Sequence, residues 1–429
     1  MTPAGWACSA VFLTVFALIA TERVDKTKAA LAGAAVVLLA RLVDQRFALL
    51  GDRTGTGGVD WSTLLLLIGT MVIVNIARRT GMFEWLAIRL AKLVRGDPVG
   101  VLVVLGAATA LLSALLNNFT TVLTIAPVAI LICEALAVDP VPYLICVVLA
   151  ANIGGCATLI GNPPNMMIGS AAGLSFMDFL RADGPLAALA LVVALGVVLL
   201  GLRRGSSRVS PEARARVMKF DEQAALQDRP LLARCLVVMG LTLAGFLMAD
   251  RLGLQPATIA LAGAALLLLL DRESAHDALA QVEWSSIFFF LGLFIMVSAL
   301  VETGVRDVLG QAILRLSQGR VPALTLGLVW VSGGVCGMID PTPYAATMIP
   351  LLKHLGADHA PVLWWALSLG ANLGANLTLI AAASNVIVAG LSERAGFRIT
   401  FRRFLKYGLP VTVINLTLAS LYLWLRFLR

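Results

Sequence analysis

Charged side chains are scarce in this sequence. Asp, Glu, Lys and Arg make up 14% of its 429 residues, against about a quarter in a soluble globular domain. Histidine occurs three times. The six cysteines (Cys8, Cys133, Cys146, Cys156, Cys235 and Cys336) form no CxxC pair and no Cys/His cluster. That spacing excludes a zinc module or a dithiol redox site, so no metal and no cofactor are expected, and the cysteines read as small packing residues. No P-loop is present, nor an HExxH or GxSxG motif in suitable context, which argues against ATP hydrolysis or another enzymatic reaction within the chain. Apolar surface, by contrast, is abundant: 59% of residues are hydrophobic and the mean hydropathy is +0.91. A disordered chain has too little apolar surface to fold and is excluded as well.

The runs Trp61–Ala77 and Trp284–Leu300 are apolar for 17 residues without a charge. Runs of this length cross ~30 Å of hydrocarbon, or nearly so, as helices. The chain therefore reads as an all-α polytopic membrane protein with room for about ten spans. Its net charge of +8 is no sign of nucleic acid, because Lys and Arg in such a chain mark the cytoplasmic side. Residues 6–20 have no charged segment before them and no cleavage signature, so they read as a retained span rather than a signal peptide.

Self-similarity organises the rest. Asp60-Trp61-Ser62-Thr63 recurs as Glu283-Trp284-Ser285-Ser286 at an offset of 223, where Thr80-Gly81 also meets Thr303-Gly304, Thr124 meets Thr347 and Pro127 meets Pro350. Further on the offset is 220: Ala151-Asn152 meets Ala371-Asn372, Thr158-Leu159-Ile160 meets Thr378-Leu379-Ile380, and Asn165 meets Asn385. Duplication on this scale in an apolar chain points to a secondary transporter. The expected organisation is a first repeat over 1–201, a basic linker over 202–230 and a second repeat over 231–429.

Spans are expected near 6–20, 27–43, 61–79, 142–170 and 185–201, and near 231–249, 255–270, 284–300, 361–390 and 409–427. Segments 84–95 and 304–316 read as interfacial helices. Segments 99–136 and 322–355 are each two apolar arms around a polar centre. A polar break at membrane depth is tolerable only where it lines a cavity, so both read as re-entrant hairpins. Five crossings per half invert the second repeat relative to the first. With both termini outside, 22 of the 33 Lys and Arg fall inside, the linker included, a bias of the expected sign.

The chemistry is expected at four polar breaks. The hairpin tips are Asn117-Asn118-Phe119-Thr120-Thr121 and Asp340-Pro341-Thr342-Pro343. The other two interrupt the spans 142–170 and 361–390, at Asn152–Asn165 and Asn372–Asn385. Pro163-Pro164 removes two donors and forbids a continuous helix. Unwound backbone, with Asn and Thr side chains, then makes a midplane site. The candidate substrate ligands are Asn117, Asn118, Thr120, Thr158, Asn162, Asn165, Thr342, Asn376, Thr378, Ser384 and Asn385. Asp340 is the clearest intramembrane acid and the candidate proton carrier, with helix capping as its bland alternative.

These motifs resemble the ion transporter superfamily that contains arsenite efflux permeases (ArsB), the melanosomal P protein, NhaD-type sodium/proton antiporters and the divalent-anion/sodium symporters. The most specific stretches are Leu116–Pro127, Asn152–Asn165, Ile339–Pro350 and Trp364–Glu393. Pro343-Tyr344-Ala345-Ala346-Thr347-Met348-Ile349-Pro350 looks most like the arsenite permease and P protein branch. The resemblance implies a scaffold and a moving transport domain, a site at the hairpin tips and broken helices, and often a homodimer. A docked cytoplasmic ATPase is left open. Asn117 and Asn162 stand where the P protein-like pattern usually carries Asp. Losing two carboxylates weakens a sodium site and suits a neutral polyhydroxyl solute such as arsenite, whose hydroxyls complement amide side chains. The expectation is a proton-coupled arsenite and antimonite efflux permease of the cell inner membrane. A sodium/proton-type cation antiporter is the alternative, then an anion symporter.

Overall fold

The computed structural model describes residues 2–21, 24–51, 57–203, 209–272, 274–357 and 360–429. Among the described residues there are helices and no strands. Seven helices among the described residues are apolar and long enough to cross a membrane: Trp61–Arg79, Pro98–Leu115, Asn118–Leu136, Gly184–Leu202, Arg229–Leu247, Trp284–Glu302 and Phe401–Leu428. The shorter apolar helices Pro3–Ile19, Val141–Cys156, Pro256–Leu270, Val321–Cys336 and Val362–Gly374 join them. In a bilayer every backbone polar group must be satisfied within the protein, and helices alone do this segment by segment.

The frame is made of four helices in two crossed pairs. Trp61–Arg79 packs along Pro256–Leu270, and Trp284–Glu302 packs along Lys26–Leu39. Glycine sets both crossings. A Cβ on Gly69 would stand 2.8 Å from the Ala260 carbonyl carbon, and one on Gly292 would stand 2.7 Å from that of Ala30. The two backbones touch at each point, as small residues allow between membrane helices.

The segments 99–136 and 322–355 do turn back on themselves. The first has arms Pro98–Leu115 and Asn118–Leu136, and its ends meet: a Cβ on Gly96 would contact Leu136 Cδ2 at 3.5 Å. The second has arms Val321–Cys336 and Pro341–His354, and its far end returns to the helix Val305–Ser317 that precedes it, where His354 Nδ1 lies 3.3 Å from Asp307 Oδ1. Each tip is capped by its own first polar residue. Asn117 Oδ1 accepts from the Thr120 amide at 2.7 Å, and Asp340 Oδ1 accepts from the Thr342 amide at 2.9 Å. Such caps satisfy donors that a helix start leaves open.

Both expected helix breaks are present. The first span runs over Val141–Cys156 and restarts at Pro163–Ala172; the second runs over Val362–Gly374 and restarts at Ala383–Arg394. Pro163 and Pro164 sit in the first turn of the restart, where their missing amides cost nothing. Short helices over Gln45–Leu50 and Phe176–Ala182 were not anticipated.

The linker is more than a solvated loop. Residues 204–208 of it lie outside the described residues, but Pro211–Met218 is a helix laid across the base of the first hairpin. Arg214 pairs with Asp97 at 3.1 Å and Arg216 donates to the Ala135 carbonyl at 2.9 Å, so one helix holds both feet of the hairpin. Glu222 pairs with Lys92 and, at 3.1 Å, with Arg89. The Lys92 and Arg89 hydrogen bonds hold the Glu222 carboxyl below the ordinary glutamate range, Lys92 contributing most.

Candidate transport site

The two hairpin tips and the two broken helices converge on one cavity of about 80 Å³. Asn117, Asn118, Asn152, Asn162, Asn372 and Ser384 face it, together with Asp340 and Thr342. Lys26, Glu283 and Ser286 line it as well, with Phe289 beneath the Lys26 ammonium, 5.4 Å from nitrogen to ring centroid. A water needs roughly 10–15 Å³ on this measure, so the space suits several waters or a small solute.

Behind the cavity wall lies an amide network that crosses between the halves. Asn152 Nδ2 donates to Asn385 Oδ1 and to Asn376 Oδ1, each at 3.0 Å. Asn372 Nδ2 donates to Asn165 Oδ1 at 2.8 Å, and Asn162 donates to Asn372 Oδ1. Asn152 also accepts, from Ser384 at 3.0 Å and from Asn118 at 3.2 Å.

Asn165 and Asn385 act on the breaks themselves. Asn165 Nδ2 reaches the carbonyls of Gly155, Cys156 and Thr158 at 3.3, 3.1 and 2.9 Å. Asn385 Nδ2 reaches those of Ala375 and Thr378, each at 2.9 Å. These carbonyls have lost helical partners, and the asparagines replace them. Thr158 and Thr378 tie each break to its own hairpin, donating to the Ala114 carbonyl and, at 2.6 Å, to that of Gly337.

The candidate residues therefore divide. Asn117, Asn118, Asn162, Asp340, Thr342 and Ser384 face the cavity. Thr120, Thr158, Asn165, Asn376, Thr378 and Asn385 are buried around it, in the framework that shapes it. Asp340 is half-buried, faces the cavity and caps its helix. Sequence reasoning missed Asn152 and Asn372 as cavity residues, although their equivalence across the repeat was a usable signal. It also missed Lys26 and Glu283, which sit just before or at the start of their helices and read there as interfacial charges.

Broken helices and paired hairpin tips around a polar cavity, in a chain of long apolar helices, fit a membrane transporter. The citrate transporter (CitMHS) family model matches residues 16–370, and the chain belongs to that family. It is 42% identical over 422 residues to an uncharacterized transporter of Mycobacterium tuberculosis, covering 97% of each chain. Identity to a 46 kDa membrane protein of Mycobacterium leprae is 43% over 426 residues, covering 97% of this chain and 98% of that one. The human P protein is 32% identical over 502 residues, covering 97% of this chain and 59% of the P protein. The crystal structure of the Alcanivorax borkumensis YdaH transporter, described as having an unusual topology, shares the fold with a TM-score of 0.58, covering 92% of this chain and 88% of that one at 16% identity.

Proposed function

We propose that this transporter exports a small, neutral, hydroxylated solute in exchange for protons, with arsenite and antimonite as the best-fitting chemistry. One observation carries the reading: a cavity of about 80 Å³ faced by five asparagines and one capping carboxylate. Arsenite at neutral pH is largely the uncharged trihydroxide, and amides both donate to and accept from hydroxyls. Citrate, after which the family is named, is a far larger and multiply charged anion. Here it would meet two carboxylates, Glu283 and Asp340, and a single ammonium, Lys26. Asp340 would carry the coupling proton.

The same reading makes the halves inverted repeats joined by a cytoplasmic linker, with both termini outside the cell inner membrane. A homodimer and a docked ATPase are carried over from family resemblance alone. A second reading, cation/proton antiport, is favoured by Glu283, which adds a carboxylate to Asp340 at the cavity and so offers hard oxygen ligands.

Growth and flux separate the readings. Expression should protect arsenite-sensitive cells, and proteoliposomes should move arsenite under an imposed pH gradient while citrate and sodium fail to compete. Protection against sodium or lithium instead, with no arsenite flux, would favour the antiporter.

A further inference from the structure

Asp183 is fully buried, follows the helix Phe176–Ala182 and lies outside the cavity. Its Oδ2 stands 2.6 Å from Ser368 Oγ, and its Oδ1 is buried without a hydrogen-bond partner. Nearby, Tyr422 and Arg426 at the end of the last helix donate to the carbonyls of Ala182 at 2.6 Å and Arg181 at 2.8 Å, just before Asp183 in the chain, and Cys156 ends the helix at the first break. Among the described residues no Lys, Arg or His comes within ion-pair distance of it. A buried carboxylate without a paired cation is among the most expensive groups a protein can hold.

Ser368 Oγ has a second neighbour, Asn165 Oδ1, at 3.0 Å. A hydroxyl carries one hydrogen and can serve only one acceptor at a time. If Asp183 were ionised, Ser368 would have to donate to it and release Asn165. With Asp183 protonated, its own O–H donates to Ser368 Oγ, and the serine hydrogen passes on to Asn165. Asn165 also accepts from Asn372, which faces the cavity.

We propose that Asp183 is a proton-binding site held as the neutral acid, and that Ser368 relays its protonation state to the asparagine network behind the cavity. The proton comes from and returns to the aqueous phase. Binding it forms the Oδ2–H bond and turns the serine hydroxyl towards Asn165; losing it turns the hydroxyl back. The pair occurs in one half only. Val148 occupies the position equivalent to Ser368 at the 220-residue offset, and Gly408 the position equivalent to Asp183 at the 225-residue offset that aligns Phe179 with Phe404. The asparagines obey the repeat and this switch does not, so it biases the network from one side. The inference extends the proton-coupled reading to a second group but does not depend on which solute is carried.

Infrared spectroscopy of the purified, reconstituted protein tests it with the proton as ligand. At neutral pH the parent should show the C=O band of a protonated carboxylic acid in weakly polar surroundings. Asp183→Asn should lose that band and Asp340→Asn should keep it, which separates this site from the proposed coupling acid. Ser368→Ala should shift the band and Ser368→Thr, which restores a hydroxyl, should return it. A band that survives Asp183→Asn at full intensity overturns the assignment. If Asp183→Asn does not fold, an unshifted band in Ser368→Ala overturns the relay.

Discussion

Asn372 donates a hydrogen bond to Asn165 at 2.8 Å, and the two residues belong to opposite halves of the chain. Their repeat equivalents make the same bond, with Asn152 donating to Asn385 at 3.0 Å, so that one bond runs from each half to the other. The centre of the transporter is thus a pair of reciprocal amide contacts. Single interhelical hydrogen bonds in membranes average about 0.6 kcal/mol, so neither alone holds the site. Their weight comes from what the second amide of each pair does, which is to cover the opened backbone carbonyls of a helix break.

Removing that cover is the first prediction. Asn165→Ala strips the partner from the carbonyls of Gly155, Cys156 and Thr158, all buried. Leaving buried polar groups unsatisfied costs about 1–3 kcal/mol each, less where they find new partners. Asn165→Ala and Asn385→Ala should both lower the thermal unfolding midpoint in detergent by several degrees. Asn117→Ala, which loses only a cap, should lower it less.

Coupling is tested at Asp340. Asparagine caps a helix as well as aspartate, so Asp340→Asn should fold normally and keep solute exchange, yet lose its response to an imposed pH gradient. Asn117→Ala should weaken binding and keep that response. Flux in proteoliposomes reads both. A gradient response in Asp340→Asn equal to the parent's would move the coupling site elsewhere.

Thiol chemistry offers a third test, because arsenic(III) is thiophilic. Cys156 is buried at the first break and does not face the cavity. Soft capture there would also release solute too slowly for transport. Cys156→Ser should retain arsenite efflux within a factor of about two; full loss with intact expression would show thiol coordination to be required.

Topology can be read at the linker helix. Ala215 is exposed on Pro211–Met218, while all six native cysteines are buried. Ala215→Cys should therefore react with a membrane-impermeant maleimide only in inside-out vesicles or opened cells. Labelling on intact cells would reverse the assigned orientation.

The clasp around Glu222 should respond to acid. Its carboxyl is held below the ordinary range, first by the Lys92 hydrogen bond. A carboxylate with a depressed folded-state pKa contributes stability above its unfolded value, about 4.3 for Glu, which is lost as pH falls through the folded value. Proteolytic protection of the linker should fall in that acidic window in the parent. Glu222→Gln should be less protected at neutral pH and flat across the window.

The fold was largely legible because apolar run length, Pro163-Pro164 and the repeat offset are all written in local sequence. The tips Asn117 and Asp340 and the break residues were found the same way. What stayed hidden depends on three-dimensional partnership. Nothing near Asp183 in the sequence distinguishes it from a loop acid; only the approach of Ser368 from the other half does. Lys26 and Glu283 likewise look like ordinary charges at the starts of their helices until the fold brings them to the same cavity as the hairpin tips. Asn165 and Asn385 were read as ligands because a polar side chain in a break invites that reading. Their amides are taken up by carbonyls a few residues back.

The two glycine crossings, Gly69 on Ala260 and Gly292 on Ala30, have a mechanical consequence. Backbone seated on backbone leaves no side chain to compress or swing aside, and packed protein interiors yield little. The four helices joined this way act as a truss that passes displacement on rather than absorbing it. Compliance is left to the parts whose backbone is held by side-chain amides instead of by neighbouring turns. A load applied at the frame would therefore fall on the breaks at 157–162 and 375–382, beside the cavity that Asn152 and Asn372 line.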